Sequence, residues 1–385
     1  MKSFFGVAAL LTICCLSMSQ AALHGNDIPQ FLYTNDNSII GSNTSTGFSV
    51  SGAALTPIPG SPFLTGGRGS GPPASDGIQA IASAALAPAQ RCLFVSDGLS
   101  SDVAAFQINP QTGALAAAPG SPYATHSGGD SQWIGVAVAP SNKYVFAGDY
   151  RSSAISAFAL ASDCSLQFLQ IYPTPLYPEG MKVTPDGRFL VVAYSGTEAD
   201  TFAIGSDGSL TENGPFQTAG PVQSVDVLCN SRIAVFADTA LKTEVEGFQI
   251  SANGVLTALP GSPYKFNSGE NSNTLAVNYE GNEIFISNQA SVTQTALAFG
   301  AKRPYLSLVA GSPFANPAYG QPAGMAFNAA GNVLFVADDS PTPQITVYNI
   351  NSGGTLTNAP GSPLFTGAGE GFFSLAAVPA PVCKK

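Results

Sequence analysis

Seven side chains in this 385-residue sequence have types and settings that could do chemistry: Arg68, His126, Trp133, Arg151, Glu179, Gln223 and Asn273. Glu179 or His126 could take a proton from water, and Arg151 or Arg68 could hold the oxyanion formed when that water attacks a carboxylic ester. Trp133, the single tryptophan, offers a flat apolar face that suits stacking on a sugar ring or plain packing. Gln223 and Asn273 offer amide donors and acceptors. What sets these residues apart is that the sequence around them repeats and they do not. A residue type present in most repeats serves the repeating unit, whereas one found in a single repeat is free to serve a ligand.

The repeat is plainest at Ala118-Pro119-Gly120-Ser121-Pro122-Tyr123, which returns around Gly60, Gly261, Gly311 and Gly361. The spacing is about 50 to 60 residues or roughly three such periods, which gives seven units and the signature of a propeller or solenoid. Each unit reads as four strands. The first alternates small and β-branched residues, as in Gly135 to Pro140 and Gly180 to Pro185. The second is a nearly continuous apolar run, as in Phe189 to Val192, suited to a strand covered on both faces. The third alternates, as in Ala154 to Phe158, and the fourth runs into the Pro-Gly-Ser-Pro segment. Proline cannot donate to a central ladder, so that segment belongs on the outer rim of each unit, where it blocks edge-to-edge pairing.

Units 2 to 7 then span about 75–123, 130–175, 177–217, 220–264, 270–314 and 320–365, with the rim signature lost from units 3 and 4. Residues 30–64 supply the second to fourth strands of a unit that lacks its first, and Gly371 to Pro379 read as a first strand with nothing after it. Joined, they complete one blade. The expected fold is all-β: a seven-bladed β-propeller of four-stranded blades, its ring closed by the C-terminal strand joining the N-terminal blade. The reactive candidates fall at one face, where second strands end and first strands begin, together with Lys265, Glu270 and Glu370. Asn35, Asp97, Asp149, Asp238, Asn288 and Asp338 also end second strands, with Tyr194 in unit 4. Because they recur, they are expected to be turn-forming residues and not metal ligands.

The chain ends and composition bound the function. Met1-Lys2-Ser3, an apolar run to Ile13 and small residues to Ala21 read as a secretory signal peptide over 1–22, leaving 23–385 as a single propeller domain, secreted or periplasmic. No later run reaches the roughly 18 apolar residues of a membrane span. Charged residues make up 10% of the chain and the formal net charge is -10, which excludes a nucleic-acid footprint. No zinc-spaced Cys or His pair, phosphate loop or nucleophile elbow is present, so neither metal nor cofactor is expected. Cys92, Cys164, Cys229 and Cys383 follow the signal, and four cysteines allow three pairings. Cys92, inside a strand, reads most simply as a small buried apolar residue.

Val183-Thr184-Pro185-Asp186-Gly187-Arg188-Phe189-Leu190-Val191-Val192-Ala193, with the repeated Gly-x-Leu starts of rim strands, resembles the seven-bladed lactonase propeller family, which includes the 6-phosphogluconolactonase-like proteins. Tyr33-Thr34-Asn35 is similar to the related surface-layer propeller repeats. The resemblance covers nearly all of the chain after the signal. It implies a lactonase-like hydrolase that opens a sugar (aldono)lactone at the channel mouth; the signal segment makes it an exported one, and the unit-specific His126 or Glu179 offers the base and Arg151 or Arg68 the oxyanion partner. Enzymes of the family place a His near the start of inner strands. The aligned positions here are Ala82, Ile134, Glu179, Gln223, Asn273, Ala323 and Phe373, and none is His. The alternative is therefore a non-catalytic propeller that binds a carbohydrate or a protein partner. Scattered cations point to an unphosphorylated lactone, and a monomer is expected.

Overall fold

The computed structural model describes residues 29–38, 40–71, 81–87, 90–128, 133–239, 244–318, 320–339, 342–366 and 374–383. The expected signal segment, Glu370, Phe372 and Phe373 lie outside them. The described residues form strands and turns, with no helix long and apolar enough to cross a membrane.

Seven antiparallel sheets of four or five strands form blades around an axis, ordered from inner to outer strand as the chain runs, and a two-stranded sheet of Thr44–Ser45 with Phe63–Leu64 extends blade 1. Blade 4 is typical, with Pro178–Val183 innermost, then Phe189–Tyr194, Glu198–Ile204 and Leu210–Glu212. Blade 1 is the exception in order: its inner strand is the C-terminal Ser374–Val378, which pairs with Gln30–Asn35 through Phe31 opposite Val378 and Asn35 opposite Ser374. The first and last described strands thus share one sheet and the ring is closed, as the unit count requires.

The core is divided among the seven gaps between blades, one apolar cluster to each. This explains the apolar runs of the second strands. In blade 2, Leu93 and Val95 face blade 1 while Cys92 and Phe94 face blade 3, so consecutive side chains fill opposite gaps and all four are fully buried.

The rim motif interrupts the fourth strand without ending it. In blade 5, Leu256–Ala258 and Tyr264–Lys265 both pair with the third strand, Glu244–Ile250, and the motif loops out between them. The loop leaves one N–H of the third strand without a ladder partner, and the motif serine replaces it. Ser262 Oγ accepts from Gly247 N–H at 3.1 Å, and Ser61, Ser121, Ser312 and Ser362 accept from Gly47, Ala105, Ala296 and Val347 at 2.8, 2.9, 3.0 and 2.8 Å. The glycine before each serine has a φ between +81° and +97°, a region that a side chain disfavours. Blade 4 keeps the two-part outer strand without the serine, and there Asp200 bonds the equivalent Thr201 N–H at 2.6 Å. Blade 3 needs neither, because its outer strand Leu166–Pro173 runs unbroken with one bulge.

Two disulfides close the cysteine account. Cys92 is buried but not a free thiol: it faces blade 3 and is bonded to Cys164, in the turn before that blade's outer strand. Cys229, just past the inner strand of blade 5, is bonded to Cys383. The C-terminal tail leaves blade 1 and is tied to blade 5 on the opposite side of the ring.

Candidate functional site at the channel mouth

Inner strands begin at the mouth of the central channel, and the structure does something there that spacing alone does not reveal. In blades 4 to 7 the pairing of inner and second strands slips between Pro178 and Met181, Val222 and Ser224, Ser272 and Thr274, and Pro322 and Met325. Each slip is a β-bulge, and bulges re-aim the side chains they carry. The bulged residues are Glu179, Gln223, Asn273 and Ala323, four of the positions aligned from sequence. Ala82 is a correction: its register partner is Phe94, which puts it mid-strand in blade 2. That blade has its irregularity at the other end, between Ala85 and Ala87, so counting back from the strand's end falls short of the mouth.

Two glycines bring neighbouring inner strands together. A Cβ on Gly135 would stand 2.9 Å from the Glu179 carbonyl oxygen, and one on Gly180 would stand 2.5 Å from that of Gln223. Without side chains there, the inner strands of blades 3, 4 and 5 start close enough to group Trp133, Glu179 and Gln223. Farther round, the Ser224 hydroxyl accepts from Leu275 N–H at 3.1 Å, and the Thr274 hydroxyl donates to the Ala323 carbonyl. These bonds fix the mouth where Asn273 sits. Glu179 is 4% exposed, Asn273 7% and Trp133 7%, while Gln223 is partly open.

Trp133 packs against Ala323. Blades 3 and 7 are not neighbours, so this contact spans the channel mouth. The indole also meets Tyr150 edge-on, with centroids 4.4 Å apart, and Tyr150 lies 4.8 Å from Tyr177, which is 45% exposed. An aromatic bank therefore runs from the axis out over blades 3 and 4, beside Glu179. Tyr150 and Tyr177 went unnoticed in the sequence, although both flank strand ends at the reactive face where the repeats disagree.

The other candidates stand farther out. Arg151 is exposed on the turn after Tyr150. Arg68 is exposed on the loop from blade 1 to blade 2, its N–H donating to Ser100 Oγ at 2.8 Å. His126 is exposed on the loop leaving the outer strand of blade 2, and its ring lies 4.3 Å from Phe168 in the outer strand of blade 3. His126 and Glu179 thus belong to outer and inner layers of the propeller.

Of the acidic and amide residues that end second strands, some join blades and some bond within their own: Asn35 donates to the Ser96 carbonyl of blade 2, whereas Asn288 bonds Ser272, Thr293 and Thr295 of blade 6. Asp97 accepts from Asn43 at 2.7 Å and Thr65 at 2.9 Å, both from blade 1, and Asp149 accepts from Ser127 on the loop out of blade 2. Asp338 accepts from Asn316, on the segment out of blade 6, and from Thr346, on the third strand of its own blade. Burial pushes the Asp338 carboxyl up to about 7, and burial together with the nearby Asp102 charge raises Asp97 well above the carboxylate range. Among the described residues no group of three or more His, Cys, Asp or Glu side chains is arranged to hold a metal.

Residues 83–225 match the family model described as lactonase, 7-bladed β-propeller. No curated protein sequence matches the chain. Among solved structures, a candidate 6-phosphogluconolactonase of Bacteroides fragilis NCTC 9343 is similar with a TM-score of 0.70 at 14% identity, over 92% of this chain and 99% of that one. The periplasmic gluconolactonase PpgL of Pseudomonas aeruginosa is similar with a TM-score of 0.63 at 16% identity, over 92% and 100%. At these identities the likeness is one of fold. Residues 83–225, from blade 2 to the first strand of blade 5, are thus similar to the lactonase propeller family, and the closed ring of seven blades is the fold shared with these structures.

Proposed function

We propose that this protein is an exported lactonase-like hydrolase that opens an unphosphorylated sugar lactone at the channel mouth. The observation that carries the reading is the placement of Glu179, found in one blade only, on a bulged inner strand beside the aromatic bank of Trp133, Tyr150 and Tyr177. The sugar ring stacks on the bank, as carbohydrate faces do on aromatic side chains. Glu179 takes a proton from water, the hydroxide adds to the lactone carbonyl, and the oxyanion is met by the amides of Gln223 and Asn273 with Arg151 at the rim. Collapse of the adduct breaks the ring C–O bond, and the proton returns to the leaving ring oxygen, giving a hydroxy acid. Arg68 and His126, on the outer loops of the same face, bear on entry and not on the bond-breaking step.

The two disulfides support export, since such bonds persist in oxidising compartments. A panel of aldonolactones, free and phosphorylated, tests the reading by base-consumption assay above the spontaneous rate. Turnover of a free lactone is expected, and a phosphorylated one should be no better. Binding of the lactone without turnover would instead support the non-catalytic carbohydrate-binding propeller, which the lack of His on the described inner strands favours.

A further inference from the structure

The lower half of the channel holds a cavity of about 540 Å³ lined by the inner strands of blades 1 and 3 to 7 and floored by Ala380 to Cys383. That volume lies within the range of small-molecule sites. Strand register shows why the space exists. One ring position is Ala377 in blade 1, Ala82 in blade 2, Ala137 in blade 3, Ala276 in blade 6 and Ala326 in blade 7, each opposite an apolar residue midway along the second strand. In blades 4 and 5 the same position carries Lys182 and Asp226. Five blades agree on a methyl group and two adjacent blades depart from it with opposite charges.

The pair is built with care for one partner only. The Asp226 carboxylate accepts from Lys182 at 2.8 Å, from Val227 N–H at 2.8 Å, from Val277 N–H at 3.0 Å and from the Tyr279 hydroxyl at 3.3 Å. It is consumed within the wall, its side chain 8% exposed. Lys182 is 37% exposed and has three N–H donors, of which Asp226 takes one, with the Tyr279 ring 5.5 Å away. Burial by itself would lower the pKa of Lys182, but Asp226 outweighs that and keeps it raised, so the ammonium stays charged. A buried ion pair adds little stability over well-packed apolar residues of the same volume, and the five alanine blades show that the fold does not need it.

The geometry points to a second ligand site in this chamber, taking a small amphiphile whose apolar body lies against the alanine and methionine wall and whose anionic head is seated on Lys182. Asp226 and Tyr279 are positioning residues that hold the ammonium facing the chamber. The site is separate from the mouth and does not depend on lactone turnover.

Titration calorimetry of the intact protein with octanoate and with octanol tests the proposal. Octanoate is expected to bind one per chain, at least tenfold tighter than octanol. The double variant Lys182→Met/Asp226→Asn, which removes both charges together, should bring octanoate to the affinity of octanol. Ala276→Phe fills the chamber without touching the pair and should abolish binding of both, which decides the matter if the double variant does not fold. Failure of octanoate to saturate, no preference over octanol, binding unchanged by Ala276→Phe, or displacement by a sugar lactone would each overturn it.

Discussion

The rim and the inner edge of the propeller face the same problem, an irregular strand in several blades, and answer it in opposite ways. At the rim five blades use one device, a serine hydroxyl that accepts the N–H left open by the interrupted outer strand. Blade 4 reaches the same bond by a different residue, Asp200. At the inner edge blades 4 to 7 share a backbone bulge, yet the side chain it presents is Glu179, Gln223, Asn273 or Ala323. Where side chains converge on one task, the task belongs to the fold. Where the backbone repeats and the side chains diverge, the backbone is a mount, and what it carries answers to something outside the blade.

The comparison can be broken most forcefully at the inner edge. Gly180→Ala places a methyl group 2.5 Å from the Gln223 carbonyl, and the backbone has to move; a loss of about 1–3 kcal/mol in denaturant unfolding is expected, with loss of lactone turnover. At the rim, Asp200→Ala should cost about 1–3 kcal/mol, because it leaves the Thr201 N–H without its acceptor. Asp200→Asn, which keeps an acceptor, should restore most of it. Ser262→Ala removes the same bond in blade 5, where the loop is partly open to water, and should cost about 1 kcal/mol with turnover unchanged. A rim variant that abolished turnover while leaving the fold intact would erase the distinction.

A further effect expected is one of pH. Burial raises the Asp338 and Asp200 carboxyls to about 7 from the ordinary carboxylate value of 3.8. The folded state therefore holds protons that the unfolded chain has released between about pH 4 and 7. Their contribution to stability is full below pH 4 and is lost as pH rises through 7. Thermal unfolding midpoints should thus fall between pH 5 and pH 7.5, and Asp338→Asn should flatten the fall.

Blade number, blade boundaries and ring closure were legible because each unit repeats the same strand pattern and turn chemistry, and because the half-blades at the two ends complement each other. The mouth was legible in part. The spacing that picked out Glu179, Gln223 and Asn273 worked because the bulges recur at one place in blades 4 to 7, and it failed at Ala82, where the irregularity lies elsewhere. Tyr150 and Tyr177 escaped because their contact depends on the angle between blades 3 and 4. The pairing of Cys92 with Cys164 and the facing of Lys182 with Asp226 escaped for the same reason: both join neighbouring blades, and separation along the chain says nothing of register across a gap. The bond from the third strand to the rim serine was not legible either, because it depends on both halves of the outer strand sharing one partner.

The claim that divergence at the inner edge marks function rests most directly on Glu179. The measurement is kcat/KM for a free aldonolactone with Glu179→Gln, beside Ser262→Ala as the rim control, both checked for a folded far-ultraviolet spectrum. Loss of a general base typically costs about 10²- to 10⁴-fold, so Glu179→Gln should fall at least a hundredfold while Ser262→Ala stays within about twofold of the parent. Equal turnover in Glu179→Gln and the parent would contradict the account.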